Sequence, residues 1–350
     1  MPKARPLASA LASLALAGCG MPAAAPRGPL PEHPRILSMN PCIDAILARV
    51  ADPAQIVAIS HYSQAPDATS VDLKWANRFA VNYDTAEEII TFQPDLVLIG
   101  PHVAKATVAA IERSGVATET VGVPMTIAES LAQITQVAKA IGHPDRGRAL
   151  IAEIETTLAA TTPPPGATPI PALIWQGGGL VPGSGTLADE LLVRTGYINQ
   201  SAAYGLAAWD ILPVEHLIAR PPAIIFHDTN HQARALRSGA VQRLGKLTTL
   251  APFPERLLQC AGPNLIETAQ VLATAREEYQ RSHTSVRFER SRETPAPQVA
   301  EDHPHPVRAE LVEAPSFFQA ASFASRRKAA LRQAQGERVG GAHSQFRSAS

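Results

Sequence analysis

Gln93-Pro94-Asp95-Leu96-Val97-Leu98-Ile99 is the stretch from which the fold is read. Proline and aspartate open it and four bulky aliphatic residues follow without a break, the length and composition of a strand rather than a helix. Upstream, Ile36-Leu37-Ser38-Met39 and Ile56-Val57-Ala58-Ile59 are runs of the same kind, and Thr120-Val121-Gly122-Val123 follows downstream. Longer segments of helical pattern separate them, and this alternation predicts βαβ units on a parallel sheet. A second set begins after Thr161-Thr162-Pro163-Pro164-Pro165-Gly166, with Ala172-Leu173-Ile174-Trp175, Ala223-Ile224-Ile225-Phe226 and Leu257-Leu258-Gln259. The expected fold class is therefore α/β, with one lobe over residues 35–142 and another over 166–281. Residues 127–141 and, after His143-Pro144, residues 145–160 carry apolar side chains at three- and four-residue spacing. The second of these lacks proline and predicts a stiff linking helix within 143–165. The last helix of the body is expected over 265–279, with Asn264 as its N-cap.

Composition narrows the function. The chain has 350 residues, 45% hydrophobic and 18% charged, enough to bury two cores. Its 31 basic and 31 acidic residues cancel and aromatics reach only 5%, which gives no electrostatic or stacking case for nucleic acid. Three cysteines, Cys19, Cys42 and Cys260, are too few for a disulfide scaffold and show no C-x-x-C spacing.

The first 18 residues read as a secretory signal peptide, with basic Lys3 and Arg5 ahead of a short apolar stretch. It closes on Leu16-Ala17-Gly18-Cys19, similar to a bacterial lipobox, so Cys19 is the expected lipidation site. Acyl chains there would hold a soluble domain on a membrane without a transmembrane helix. Residues 19–34, rich in Pro and Ala, read as a tether. Residues 282–350 lack strand-like runs and hold few bulky aliphatics, so a disordered tail is expected there.

An ordered series of segments carries a family resemblance. It opens with Arg35-Ile36-Leu37-Ser38-Met39-Asn40-Pro41-Cys42 and continues with Ile59-Ser60-His61-Tyr62-Ser63-Gln64-Ala65-Pro66 and Thr85-Ala86-Glu87-Glu88-Ile89-Ile90. In the second half come Pro182-Gly183-Ser184-Gly185-Thr186-Leu187, Trp209, Pro213-Val214-Glu215-His216-Leu217 and Ala261-Gly262-Pro263-Asn264. From residue 34 to about 281 the chain resembles the periplasmic substrate-binding proteins of ABC importers for vitamin B12 and ferric siderophores. The resemblance implies two Rossmann-like lobes joined by a long interlobe helix. It implies a monomer in the periplasm that captures a metal chelate, cobalamin or an Fe(III)-siderophore, and hands it to a permease with its ATPase. It implies no enzyme activity and no cofactor beyond the transported ligand.

By position in the family's motifs, Glu87 and Glu215 are the carboxylates that meet arginines of the permease. Each opens a helix, where the dipole favours a negative charge. Glu88, beside Glu87, leaves that first assignment open by one residue. The ligand cleft should lie at the carboxyl ends of the strands, and the resemblance places Tyr62, Tyr83, Ser184 and Trp209 near it. Trp175, inside an apolar run, is expected in the core. Cys42 and Cys260 fall in loops of opposite lobes, where a bridge would restrict opening, so two separate thiols are expected.

Two other chemistries were weighed. His61, His102, His227 and His231 supply the imidazoles of a zinc or manganese site, as in the related metal importers, although scattered rim histidines explain them equally. A lipid-anchored hydrolase would need a nucleophile, but Gly183-Ser184-Gly185 lacks the outer glycines of a G-x-S-x-G elbow and has no neighbouring base.

Overall fold

Short apolar segments separated by polar turns give five parallel strands in the first half of the chain. In the computed structural model, which describes residues 29–66, 69–228 and 244–293, these are β1 (Ile36–Ser38), β2 (Ile56–Ser60), β3 (Ala80–Asn82), β4 (Leu96–Ile99) and β5 (Ala117–Thr120). They lie in the order β3-β2-β1-β4-β5, with Ile36 beside Leu96 and Ser38 beside Leu98. The order reverses between β1 and β4, and a crevice opens at the carboxyl ends of strands at such a switch point.

The helices that cover this sheet are set by their caps. Asn40 accepts from the Cys42 amide at 2.8 Å and opens α1 (Pro41–Val50), with Pro41 in the first turn where a missing N–H costs nothing. Next come α2 (Leu73–Ala76), α3 (Ala86–Thr91), α4 (Lys105–Arg113) and α5 (Ile127–Ala140), the last capped by the Thr126 hydroxyl. The linking helix α6 (Pro144–Thr161) packs on α5 through Gly147, where a Cβ would stand 2.5 Å from that of Ala138.

The second lobe holds β6 (Ile170–Ile174), β7 (Leu180–Pro182), α7 (Leu187–Arg194), β8 (Tyr197–Asn199), β9 (Trp209–Ile211), α8 (Val214–Ala219), β10 (Ile224–His227), β11 (Thr249–Pro252), α9 (Arg256–Gln259) and α10 (Asn264–Glu293). Its parallel sheet runs β11-β10-β6-β8, and β7 pairs with β9 as an antiparallel ribbon. One buried cluster runs from Ile36 and Leu98 through Ile134, Ile154 and Leu158 to Ile174, Phe226 and Leu272. The lobes thus share a continuous apolar core. Arg276 of α10 is buried within it and donates to the carbonyls of Thr161 and Thr195, where α6 and α7 end.

The two-lobed α/β class is as the sequence predicts, and four details differ. The strand expected around 120–123 ends at Thr120: Val121 makes a last bond to the Ile99 carbonyl, and Pro124 cannot extend a ladder. Leu257-Leu258-Gln259 is helical, because the Pro254 and Glu255 carbonyls accept from Leu257 and Leu258, and the strand lies earlier, at β11. The final helix runs past residue 281 to Glu293, since no glycine or proline interrupts the chain between Pro263 and Pro295.

The fourth difference is the expectation of separate thiols. Cys42 and Cys260 form a disulfide with Cα atoms 5.0 Å apart, well inside the bridging range. The bond sits where the lobes already touch, beside the Gly262 amide that donates to Ser130 Oγ at 2.8 Å, and not at lips that must part. The signal peptide, Cys19, His231 and residues 294–350 lie outside the described residues. Among those described, no helix is long and apolar enough to cross a membrane.

Candidate ligand-binding cleft

Loops that leave the carboxyl ends of the first sheet face the start of α7 and the loop before α10, and between them lies a cavity of about 370 Å³. The first lobe contributes Asn40 and Ile43 at the β1–α1 turn, His102 beyond β4, and residues 121–125 after β5. The second contributes Thr186, Leu187 and Leu191, then Trp209, then residues 257–262. Both disulfide cysteines line it. The wall is mainly aliphatic, its polar groups are uncharged amides, a hydroxyl and an imidazole, and no Asp, Glu, Lys or Arg is among the described lining residues. Such a site suits a large, mostly apolar ligand oriented by a few hydrogen bonds. A second groove of about 400 Å³ between α1, Trp75 and the start of α10 carries Arg49, Asp72 and Glu267 and lies away from the strand ends.

Of the four residues expected near the ligand, Trp209 lines the cavity, 43% exposed. Its ribbon is held close by Gly183, where a Cβ would stand 2.5 Å from the Ala208 carbonyl oxygen. Ser184 bridges Ala207 on the same ribbon, outside the cavity. Tyr62 and Tyr83 also lie outside it, at the ends of β2 and β3, because those strands are on the far side of β1 from the switch point. They are 48% and 63% exposed and flank His61, with ring centroids 4.0 and 4.9 Å from it. Trp175 is buried, its indole N–H donating to the Leu212 carbonyl.

The turn that carries Tyr62 is anchored from beneath. Asp44 of α1 is fully buried and accepts from the Ser60 amide at 3.0 Å and Ser63 Oγ at 2.6 Å. Asn82, also buried, donates to the carbonyls of Ser38 and Ile59. These contacts tie together the carboxyl ends of β1, β2 and β3. Burial pushes the Asp44 carboxyl up to about 7, against the opposing pull of hydrogen bonds from the neighbouring serines. An acid whose folded pKa is raised from 3.8 binds its proton more tightly when folded, so the stability it contributes is fully present below about pH 4 and lost as pH rises through 7. Asp44→Asn, which cannot ionise, is expected to lose less stability between pH 5 and pH 8 than the native chain, by about 1.4 kcal/mol for each unit of pKa elevation spanned. Denaturant midpoints at the two pH values measure the difference, and identical slopes for both proteins would refute it.

The expected docking carboxylates occupy separate lobes. Glu87 is exposed in the first turn of α3, whereas Glu88 Oε2 accepts from the Tyr83 amide at 2.8 Å and is engaged in its own loop. Glu215 is exposed in the first turn of α8. Neither Glu87 nor Glu215 forms an ion pair among the described residues. His61, His102 and His227 stand beyond or at the ends of β2, β4 and β10, and no group of three metal-binding side chains gathers among the described residues. His227 is buried. The residues that sequence reading missed are those of 121–125 and 257–262. They sit just past short runs taken for strands, and Gly122, Pro124 and Gly262 were the available signals that the chain turns there.

Comparison with known proteins covers most of the body. The family model described as "Periplasmic binding protein" matches residues 36–246. Among solved structures, the periplasmic heme-binding protein BhuT, in complex with two hemes, is 22% identical with a TM-score of 0.56, covering 69% of this chain and 99% of its own. The periplasmic heme-binding protein HutB of Vibrio cholerae is 16% identical at 0.58, covering 70% and 99%. The periplasmic vitamin B12 binding protein BtuF of Vibrio cholerae is 18% identical at 0.55, covering 72% and 99%. At these identities the structures share the fold. No curated protein matches the chain.

Proposed function

Because the chain belongs to the periplasmic binding protein family, we propose that it is the solute-binding component of an ABC importer, taking a metal chelate in the cavity between its lobes and delivering it to a membrane permease. The observation that carries the ligand class is the uncharged, largely aliphatic wall with Trp209 in it. A flat macrocycle contributes large apolar area there, and an indole meets it with little side-chain entropy to lose. Among chelates the wall favours cobalamin, because heme propionates or an anionic ferric siderophore would lie in it without a counter-charge. The similar structures that bind heme and vitamin B12 are consistent with a tetrapyrrole. Cys19 would anchor the protein by its lipid, and Glu87 and Glu215 would meet the permease, Glu88 being occupied in its own loop. The zinc or manganese reading has no gathered ligand set among the described residues to support it. Neither does a hydrolase: Ser184 has no hydrogen bond to a histidine among them.

Titration of tryptophan fluorescence with cyanocobalamin, hemin, a ferric hydroxamate and zinc tests the reading. Saturable quenching by cyanocobalamin at micromolar concentration or below is expected, and Trp209→Ala should weaken it about tenfold or more. Saturation by zinc alone, or by none of the four, would refute the chelate.

A further inference from the structure

The disulfide connects the two lobes at the wall of the cavity. Cys42 is the second residue of α1 in the first lobe, Cys260 precedes α10 in the second, and both line the space assigned to the ligand. The other links that cross beside this cavity are single hydrogen bonds. Gly262 N donates to Ser130 Oγ and Ile127 N to Glu190 Oε2, each at 2.8 Å, and Ser70 Oγ donates to the Arg256 carbonyl at 3.4 Å. Each such bond is worth on the order of 1 kcal/mol net and opens readily. A covalent bond among them does not. Cys42 is only half-buried, and the cavity gives a small dithiol a route to the pair.

We propose that the Cys42–Cys260 disulfide is a latch that sets the aperture of the cleft and can be released by thiol–disulfide exchange with a dithiol donor. Closed, it holds the β1–α1 turn and the loop before α10 at one spacing, so the cavity is preformed for its ligand. In the release step a thiolate of the donor attacks one sulfur, the Cys42–Cys260 bond breaks and a mixed disulfide forms. The donor's second thiolate then displaces the remaining cysteine. Two electrons and two protons pass to the protein, Cys42 and Cys260 become thiols, and the donor leaves as its own disulfide. The latch stands on lobe geometry alone, while its consequence for capture rests on the reading of the cavity as the ligand site.

Amide hydrogen exchange on the ligand-free full chain, before and after dithiothreitol, tests the latch whatever the cleft binds. Alkylation and mass measurement count the two thiols released. Ile127 and Gly262 report the lobe contact, and Met39 and Trp175, bonded to the Leu98 and Phe226 carbonyls, report the two sheets. Reduction is expected to lower protection at Ile127 and Gly262 by tenfold or more, and by less at Met39 and Trp175. Cys42→Ser with Cys260→Ser should show the reduced pattern without dithiothreitol. If that variant does not fold, the reduced native chain gives the same readout. Unchanged protection at Ile127 and Gly262 after the thiols are released would overturn the proposal.

Discussion

Reversing both exposed carboxylates, Glu87→Arg with Glu215→Arg, is expected to lower chelate uptake through the importer by about 100-fold or more while leaving affinity for cyanocobalamin within about twofold. Each residue sits in a first helical turn on its own lobe and forms no ion pair among the described residues, so its charge is available to a partner. Two charges on separate lobes give register as well as attraction, and converting both sets like charges against each other, at a cost of several kcal/mol. Neither residue lines the cavity. Uptake in whole cells and fluorescence titration of the purified variant separate the effects. A loss of affinity with unchanged delivery per bound ligand would refute the docking assignment. Glu88→Arg is the control for Tyr83 loop geometry, since it removes the acceptor of the Tyr83 amide.

The second large effect concerns the core that the lobes share. Phe226→Ala is expected to destabilise the body by about 3–5 kcal/mol, the usual cost of emptying a fully buried phenyl site. Phe226 lies at the centre of the second sheet, with the rings of Tyr197 and Phe253 edge-on at 5.4 and 5.8 Å. The removed ring therefore leaves a space walled by two other aromatics, which cannot collapse onto alanine. For a body of this size the melting temperature should fall by about 10 °C, measurable by calorimetry. A fall under about 2 °C would mean that the site repacks.

The strands legible in the sequence were those with enough apolar residues to declare themselves. Leu96–Ile99 and Ile224–His227 lie inside their sheets, and burial on both faces demands continuous aliphatic runs. Ala80–Asn82 and Trp209–Ile211 were not legible, since three residues of mixed character become strands only through their partners, Ala58–Ser60 and Leu180–Pro182. Leu257-Leu258 was misread because a pair of leucines has no period, and one turn of helix buries it as well as a strand would. The cleft was legible as a location and not as a set of residues. Its walls come from at least five segments, from Asn40 to Leu265, and only tertiary packing brings them together. The disulfide joins residues 218 apart, a proximity that no spacing rule encodes.

Arg276 has a consequence for where this chain can be cut. The family match stops at residue 246, and a fragment designed on that limit would appear to keep both signature halves. It would lack the guanidinium that receives the carbonyl ends of α6 and α7. Those two carbonyls, turned inward, would have no donor in place of solvent, and the negative ends of both helix dipoles would lie beside an emptied groove. The smallest autonomous unit therefore extends at least one turn beyond Arg276, about thirty residues past the region by which its kinship is recognised.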